Sequence, residues 1–279
     1  MITITTIEDL HSALQNVSGT VGFVPTMGAL HAGHISLVKQ AKSSTDLVVV
    51  SVFVNPTQFN DKQDFTKYPR TLEADSVLLE AAGVDIVFAP SPEEIYPKDQ
   101  TNQPEGLNLN GLDTVMEGAS RPGHFNGVVQ VVNRLFDIVE PELAFFGEKD
   151  YQQLAIIKKL AAWRNYDVQI ECCPIVRGDD GLALSSRNAL LGSDARKVAP
   201  FIHKVLQMAT AKNDTPVDIC KWAKEHIENH SAMFKVDYIT IADENTLQEQ
   251  NELTSDSRIF AAVYCDNIRL IDNLPMQCL

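Results

Sequence analysis

The chain has 279 residues, of which 44% are hydrophobic and 22% charged, and its formal net charge at pH 7 is −14. This length suits one large or two modest domains, and the composition is that of an ordinary globular protein. The acidic balance argues against a nucleic-acid partner, because binding to a phosphate backbone requires a basic face.

The N-terminal segment and the cysteines bear on the compartment. Residues 1–9 contain neither a basic region nor an apolar one, so we expect no signal peptide. The longest apolar run, residues 47–54, is too short to span a bilayer, so no membrane partner is expected. The five cysteines are an odd number, and a buried strand would explain the adjacent Cys172 and Cys173. Reduced thiols in a cytoplasmic protein are the simplest interpretation.

The first part of the chain alternates strand and helix patterns. Short apolar, β-branched runs at 21–25 and 47–54 predict buried strands, and helical spacing of apolar residues over 30–43 predicts a helix between them. Together they form a βαβ unit with a right-handed crossover. The alternation continues through predicted helices at 72–82, 126–139 and 151–163 and predicted strands at 85–89, 143–146 and 168–176.

The pattern changes after about residue 190. Predicted helices at 195–211 and 217–230 precede predicted strands at 236–241, 258–264 and 268–271. The prediction is therefore an α/β fold, with a Rossmann-like parallel sheet in an N-terminal domain over residues 1–188. A smaller α+β C-terminal domain over residues 189–279 would carry an antiparallel sheet and act as a lid.

The segment from Pro25 to His34 leads from the first predicted strand into the following helix. In an open α/β sheet, ligands lie at the carboxyl ends of strands, where free N–H groups and the helix dipole favour phosphate. Gly28 and Gly33 would let the backbone approach such a ligand closely. His31 and His34 lie one helical turn apart, so both rings could donate to phosphate oxygens and stabilise developing charge.

Two histidines at this spacing could instead be surface residues or metal ligands. No third cysteine, histidine or carboxylate has a convincing spacing for a metal, and the position after the first strand favours a nucleotide site. The sequence lacks a Walker A motif and a Gly-x-Gly-x-x-Gly turn, which disfavours P-loop hydrolysis and dinucleotide redox chemistry. The His-x-Gly-His signature resembles the nucleotidyltransferase superfamily, whose members attack the α-phosphate of ATP and release pyrophosphate.

Two further segments carry polar residues, one after the second strand and one before the helix predicted over 126–139. Asn55 and Gln58 come after the second strand and could hold hydroxyls or a carboxylate, although a proline-terminated strand with a polar loop would explain them equally. Arg121, in the glycine-bearing segment 118–125, suits a mobile loop over a phosphate site, although a lone loop arginine is usually solvated.

Two more strand ends carry groups suited to phosphate. Lys149 follows Gly147 and is a candidate phosphate cation, while Asp150 could be only a helix N-cap. The hydroxyls and guanidinium of residues 185–187 follow the last strand of the first domain and suit a triphosphate.

In chain order, these segments resemble the pantothenate synthetase (pantoate–β-alanine ligase) family. The matching blocks are Pro-Thr-Met-Gly-x-Leu-His-x-Gly-His, Phe-Val-Asn-Pro-x-Gln-Phe, Tyr-Pro-Arg-Thr at 68–71, Gly-Ala-Ser-Arg-Pro-Gly-His-Phe, Phe-Gly-Glu-Lys-Asp, Leu-Ser-Ser-Arg-Asn and the stretch 268–273. One block alone would be weak, whereas this many in one order are highly specific.

The resemblance implies a two-step ligation and a homodimer. ATP, with Mg²⁺ on its phosphates, would activate pantoate as pantoyl adenylate with release of pyrophosphate, and the amine of β-alanine would then displace AMP. The catalytic residues would be His34, His31, Lys149 and Arg187, with His34 as the proton donor or as a group that only stabilises charge.

The resemblance also implies the binding residues. Gln58 and Gln153 would bind pantoate, and Gln58 would also contact β-alanine. Mg²⁺ would keep waters and take few protein ligands, with Asp75 as a candidate acid near it. ATP would contact three segments, which comprise Met27, Gly28, Ala29, Leu30, His31, Ala32, Gly33 and His34, then Gly147, Glu148, Lys149 and Asp150, and finally Val176, Leu184, Ser185, Ser186 and Arg187.

Two other functions stay open from the sequence alone. One is a nucleotidyltransferase that stops after transferring AMP to a phosphate-bearing substrate, which leaves no use for the second domain or for Gln58 and Gln153. The other is a non-catalytic nucleotide-sensing module, which is disfavoured because Lys149, Arg121 and Arg187 are all present.

Overall fold

The computed structural model describes residues 1–15, 17–59, 65–66, 68–97 and 104–277. In this part of the chain, one parallel sheet has the strand order β1-β4-β3-β2-β5-β6. Its strands are β1 (Ile2–Ile4), β2 (Val21–Thr26), β3 (Leu47–Val52), β4 (Ile86–Phe88), β5 (Leu143–Gly147) and β6 (Gln169–Cys173).

Helices and short 3₁₀ turns connect these strands. The helices are α1 (Ile7–Leu14), α2 (Ala32–Ser44), α3 (Leu72–Ala81), α4 (Pro92–Ile95), α5 (Met116–Ser120), α6 (His124–Val139) and α7 (Tyr151–Arg164). The 3₁₀ turns are Pro56–Gln58, Glu148–Asp150 and Ser186–Leu190.

A second sheet follows in the C-terminal part. Helices α8 (Ser193–Val198), α9 (Phe201–Thr210) and α10 (Pro216–His230) precede the antiparallel strands β7 (Phe234–Asp243), β8 (Ser257–Cys265) and β9 (Ile268–Pro275). Residues of these helices and strands share one apolar cluster. Phe260 instead belongs to the cluster on the parallel sheet, where its ring centroid lies 5.8 Å from that of Tyr151.

The parallel sheet is covered on both faces. Neighbouring residues of β2 point to opposite sides, so Phe23 packs into one apolar cluster and Val24 into another, and both are fully buried. This explains why β2 and β3 are apolar without the alternation of a half-exposed strand. Among the described residues, no helix has both the length and the apolar character needed to cross a bilayer.

The strand order creates a topological switch point between β2 and β5. The chain passes from β2 to β3 on one side, and β5 pairs with β2 on the other. Ligands of open α/β sheets bind outside the carboxyl ends of the strands at such a point. The segments that follow β2 and β5, residues 27–34 and 148–150, therefore flank a natural binding crevice.

The predicted fold class is confirmed, whereas several predicted elements differ from the observed ones, three of them for clear local reasons. The helix predicted over 195–211 is two helices, because Pro200 lacks the N–H that would continue the ladder. The strand predicted over 168–176 ends at Cys173, and the next residues form a hairpin in which Leu184 N–H donates to Val176 O at 2.9 Å. The helix predicted from residue 30 begins at Ala32.

The first two elements of the chain were not predicted from the sequence. Strand β1 pairs with β4 at the edge of the parallel sheet, and α1 follows it directly. Thr6 caps α1 by accepting the Asp9 N–H, a local signal that was available in the sequence.

Candidate active site

His31 and His34 form a reciprocal cap at the start of α2. His31 Nδ1 accepts the Gly33 N–H at 3.1 Å, and His34 Nδ1 accepts the His31 N–H at 3.3 Å. This is a capping box made by two imidazoles rather than by a hydroxyl and a carboxylate. Because an accepting Nδ1 carries no proton, each neutral ring has its N–H at Nε2.

Both rings are held in the neutral state. Burial lowers the pKa of His34 to about 4, and the neighbouring His31 opposes its charge further. Burial also lowers the pKa of His31, with the Lys149 ammonium adding to the effect. At neutral pH the pair therefore offers two Nε2–H donors and no positive charge of its own.

Asp75 holds the loop that leads to this cap. Its buried carboxylate accepts the Ala29 N–H at 3.0 Å, the Leu30 N–H at 2.8 Å and the Thr71 hydroxyl at 3.1 Å. Gly28 has a φ of +80°, and a Cβ there would lie 3.0 Å from Asp75 Oδ2. The contacts thus favour a loop-anchoring role for Asp75 over a role near a metal.

The expectation of free backbone N–H groups in this loop is wrong for most of its residues. Protein side chains accept hydrogen bonds from five of them, those of Gly28, Ala29, Leu30, His31 and Gly33. Gly33 was expected to let a ligand approach the backbone, but the group close to it is the His31 ring. A Cβ at Gly33 would lie 2.9 Å from His31 Nδ1. Gly33 makes room for the capping ring, and donors from the loop to a ligand must come mainly from the imidazoles.

Lys149 and Asp150 face this cap from the end of β5. Lys149 Nζ lies 3.6 Å from Asp150 Oδ2, and the Asp150 side chain makes no capping hydrogen bond to α7, contrary to the N-cap alternative. Desolvation by the surrounding protein raises the pKa of Asp150, although its side chain is 55% exposed, and the charges of Lys149 and Arg187 outweigh this effect and hold the pKa below its usual value. Asp150 is therefore an anion among cations.

Arg121 is tied to the site through His124. Arg121 NH1 lies 3.1 Å from His124 Nε2, and His124 Nδ1 lies 3.0 Å from the Gln58 carbonyl oxygen. Burial lowers the pKa of His124 to about 4, and Arg121 lowers it further, so the neutral ring donates from Nδ1 and accepts at Nε2. Burial and the charge of Arg187 also lower the pKa of Arg121. The two guanidiniums are therefore close enough to repel each other.

Two of the predicted segments, 118–125 and 147–150, meet at a cleft of about 450 Å³, where Arg121, Lys149 and Asp150 are part of the lining. Lys149 lines this cleft and also an adjoining cavity of about 300 Å³, which Ser185 borders. Ser186 and Arg187 are exposed in the 3₁₀ turn beside that cavity, while the Ser185 hydroxyl donates to Asn188 Oδ1 at 2.8 Å. Of the other predicted contacts, Met27, Val176 and Leu184 are half-buried at the same ends of the strands, and Ala32 is exposed.

The two glutamines predicted to bind pantoate differ in placement. Gln153 lines the cleft, and its side chain makes no hydrogen bond within the described part of the chain. The adjacent Gln152 is buried and donates to Leu112 O and Val115 O. Gln58 is connected to the cleft through its backbone carbonyl, which binds His124, and no described contact joins it to Gln153.

Gly147 leaves open space where β5 ends. Its φ of −78° is ordinary for any residue, and a Cβ there would meet Leu37 Cδ2 at 4.0 Å. Neither the backbone nor the packing of the protein therefore requires glycine. This is consistent with a ligand that approaches the backbone at this point.

The C-terminal part of the chain contributes residues that were not predicted individually from the sequence. Asn273 donates to the carbonyl oxygens of Glu148 and Lys149, and Arg269 NH1 lies 2.7 Å from Glu117 Oε2 at the rim of the cleft. The available signal was the occurrence of charged and amide side chains within 268–273, which is one of the blocks that carry the family resemblance. Among the described residues, no group of three or more His, Cys, Asp or Glu side chains could hold a metal ion.

Comparison with known proteins gives one consistent family. The family model described as pantoate-beta-alanine ligase matches residues 2–275. Pantothenate synthetase of Bacteroides fragilis is 49% identical over 284 residues, which cover 99% of each chain. The crystal structure of pantothenate synthetase from Thermus thermophilus is 41% identical, covers 99% of both chains and has a TM-score of 0.91.

A second solved structure was obtained with ligands. Pantoate-beta-alanine ligase from Francisella tularensis, complexed with beta-gamma ATP and beta-alanine, is 39% identical, has a TM-score of 0.83 and covers 99% of this chain and 97% of that one. The chain therefore belongs to the pantoate–β-alanine ligase family and is an enzyme of that family.

Proposed function

We propose that this enzyme joins pantoate to β-alanine by way of a pantoyl adenylate, with ATP converted to AMP and pyrophosphate. The observation that carries the proposal is the convergence of the neutral histidine pair, Lys149 and Arg187 at one end of the parallel sheet. Family membership and the ligands of the Francisella structure support ATP and β-alanine as substrates.

In the first step, a carboxylate oxygen of pantoate attacks the α-phosphorus of ATP. The bond from that phosphorus to the bridging oxygen breaks, and pyrophosphate leaves with the electron pair. Lys149 and Arg187 oppose the negative charge that grows on the phosphate oxygens. Since these interactions strengthen as charge develops, they should lower the barrier more than they improve binding.

His34 acts in this step as a hydrogen-bond donor rather than as a proton donor. Its pKa of about 4 leaves it without an acidic proton at neutral pH, while its Nε2–H stays available. His31 has the same tautomer and supplies a second donor. A neutral pair stabilises the departing charge without binding the product pyrophosphate as tightly as two imidazoliums would.

In the second step, the amine of β-alanine attacks the acyl carbon of the adenylate. The carbon–oxygen bond to AMP breaks, and two protons leave the nitrogen in all, one before attack and one as the amide forms. The amides of Gln58 and Gln153 orient pantoate in both steps, and Gln58 also contacts β-alanine. As neutral groups they can orient the carboxylate without reducing its nucleophilicity.

Mg²⁺ enters as part of the substrate MgATP. The described residues form no group that would cage a metal, and the Asp75 carboxylate already accepts three hydrogen bonds. Mg²⁺ commonly keeps several waters and binds substrate phosphates, so a protein cage is not required. No step assigned to the protein depends on a metal ligand.

We also propose the division into a domain of residues 1–188 and a lid of residues 189–279, in a cytoplasmic homodimer. The separate apolar cluster of α9, α10 and β7–β9 supports the division, although Leu182 already belongs to that cluster. Contacts such as Arg269 with Glu117 would keep the lid against the cleft. The family resemblance supports the compartment and the dimer.

An isotope experiment tests the adenylate directly. Pantoate labelled with ¹⁸O in its carboxylate should transfer one labelled oxygen to the phosphate of AMP in each turnover, which mass spectrometry detects. ADP and phosphate as products, or AMP without label, would contradict the proposal. Pyrophosphate exchange into ATP that requires pantoate but not β-alanine would argue independently against transfer of AMP to a phosphate-bearing acceptor.

A further inference from the structure

Asn273 of β9 binds the loop that carries Lys149. Its side-chain Nδ2 donates to the carbonyl oxygens of Glu148 at 2.9 Å and Lys149 at 3.1 Å. The asparagine is only 2% exposed. Both amide hydrogens are therefore used on the backbone of one short segment, and water does not compete for them.

The opposite side of the Asn273 amide is also fixed. Its Oδ1 accepts from Arg258 NH1 at 2.7 Å, which determines which end of the amide faces the loop. The Arg258 guanidinium lies 4.0 Å from the centroid of the Tyr151 ring, the first residue of α7. Strands β8 and β9 thus hold residues 148–151 at two points.

Asp272, the preceding residue, binds a second loop. Arg177 donates to its carboxylate through two nitrogens at 2.7 and 2.8 Å, and Arg177 NH1 also donates to Gly181 O at 3.2 Å. Gly181 lies in the hairpin that leads to Arg187. Asp272 Oδ1 in turn accepts the Asn273 N–H at 2.8 Å, so the two side chains are held as one unit.

We propose that the Asp272–Asn273 pair sets the position of Lys149 relative to Arg187, and that Asn273 is a positioning residue for Lys149. The inference rests on the role of Lys149 in the proposed function. Two adjacent residues of one strand fix the two loops that supply the cations, so a change in either contact displaces one cation from the other. Displacements of about 1 Å suffice to slow catalysis by about a hundredfold.

Two substitutions of Asn273 test its contact with the Glu148 and Lys149 carbonyl oxygens. Asn273→Asp is nearly isosteric and keeps an acceptor for Arg258, but it turns a carboxylate oxygen towards the two carbonyl oxygens. Asn273→Ala removes the donors without adding charge. We expect kcat to fall at least about tenfold in both variants, while the KM for ATP changes less than about threefold.

A double-mutant cycle with Lys149→Met separates positioning from general damage. If Asn273 acts through Lys149, Asn273→Ala slows the wild-type enzyme but slows the Lys149→Met enzyme little further. Additive losses overturn the proposal, as does an unchanged kcat in both Asn273 variants. If Lys149→Met itself leaves kcat unchanged, the assigned role of Lys149 is wrong and this inference falls with it.

Ile227→Val provides a matched control for stability. Ile227 is a fully buried residue of α10, outside the contacts described above, and the change removes one methyl group. All variants are assayed well below their thermal midpoints, measured by circular dichroism. The control should keep its kcat, and an equal loss of kcat in Ile227→Val and Asn273→Ala would assign the effect to stability and overturn the proposal.

Discussion

The imidazole rings of His31 and His34 lie with their centroids 4.1 Å apart, and each accepts a backbone N–H at Nδ1 in a reciprocal cap of α2. The same two side chains thus begin the helix, and their Nε2–H groups have no hydrogen-bond partner among the described residues. Protonation of either Nδ1 would break a capping bond, so structure and chemistry require the same neutral tautomer.

Substitution of His34 should reduce turnover strongly. We expect His34→Ala to lower kcat at least about a hundredfold, the range seen when one electrostatic donor is removed. Loss of the cap should also reduce the free energy of unfolding by about 1 kcal/mol. Steady-state kinetics and urea unfolding of the same preparation measure the two effects.

His226→Ala is the matched control for that experiment. His226 is exposed on α10, where its Nδ1 lies 3.1 Å from the Trp222 carbonyl oxygen of the same helix. This variant should keep the wild-type kcat. If His34→Ala also keeps it, His34 has no part in the mechanism.

His34 should titrate far below a free histidine. Its pKa of about 4 reflects burial first and the neighbouring His31 second. In an NMR titration, the ring resonance of His34 should stay flat from about pH 8 to about pH 5.5, while in denaturing urea it should titrate near about 6.5. A folded-state midpoint close to the denatured one would contradict the neutral pair.

The same shift predicts how stability depends on pH. Between about pH 4 and pH 6.5, the unfolded chain binds a proton at residue 34 that the folded chain does not bind. The free energy of unfolding should therefore rise with pH across this window and fall as the pH is lowered through it. His34→Gln removes this contribution, so its urea midpoint should vary less with pH than that of the wild type; equal slopes would rule out the lowered pKa.

Asp75→Asn should disorganise the β2–α2 loop. The amide replaces one accepting oxygen with a donor that faces backbone N–H groups or the Thr71 hydroxyl. We therefore expect the free energy of unfolding to fall by about 1–3 kcal/mol. We also expect a lower kcat/KM, because the loop would no longer be held in place. Asp46→Asn is the control, since exposed Asp46 also accepts a backbone N–H, from Thr20 at 2.8 Å. The control should lose stability without losing kcat/KM, and a normal kcat/KM in Asp75→Asn would refute the loop-anchoring role.

Gly147→Ala should separate binding from stability. Because the protein itself leaves room for the methyl group, unfolding free energy should be unchanged or raised by about 0.4–1 kcal/mol. If ATP approaches the backbone here, its KM should rise at least about tenfold. Gly192→Ala, where nothing lies within 4 Å of the added Cβ, should show the stability effect alone; an equal KM in both variants would exclude the close approach.

The adjacent glutamines should give opposite phenotypes. Gln153→Leu should leave stability within about 0.5 kcal/mol of wild type and raise the KM for pantoate at least about tenfold. Gln152→Leu should lose at least about 2 kcal/mol, because Leu112 O, Val115 O and the Glu117 N–H all lose their buried partner. A destabilised Gln153→Leu with a normal KM would assign Gln153 to the fold instead of to the substrate.

The parts of the fold predicted correctly were those with a repeating local signal. Strands β2 and β3 are apolar on both faces because helices cover both sides of the sheet, and this pattern is visible in a short window of sequence. The site segments after β2, β5 and β6 followed from the rule that ligands bind at the carboxyl ends of strands.

The main errors at the site concern partners that a local window does not contain. Nothing near residues 29 and 30 indicates that their N–H groups bind Asp75, which lies 45 residues beyond Leu30. The Arg177–Asp272 contact joins residues 95 apart, so no periodicity reveals it. Histidine as an N-cap was also unforeseen, because hydroxyl, carboxylate and amide side chains are the usual caps.

The contact between Asn273 and Glu148 spans 125 residues of chain, and the one between Arg269 and Glu117 spans 152. Contacts of such separation form late in folding, because long loops must close first. During synthesis, β2 and α2 leave the ribosome well before β9 exists. A nascent chain can therefore build the histidine cap early, while the Lys149 loop waits for the C-terminal strand that fixes it. If Lys149 has the role proposed above, we therefore expect the capacity to activate a substrate to appear only once β9 has paired, so that turnover begins with the completion of the antiparallel sheet.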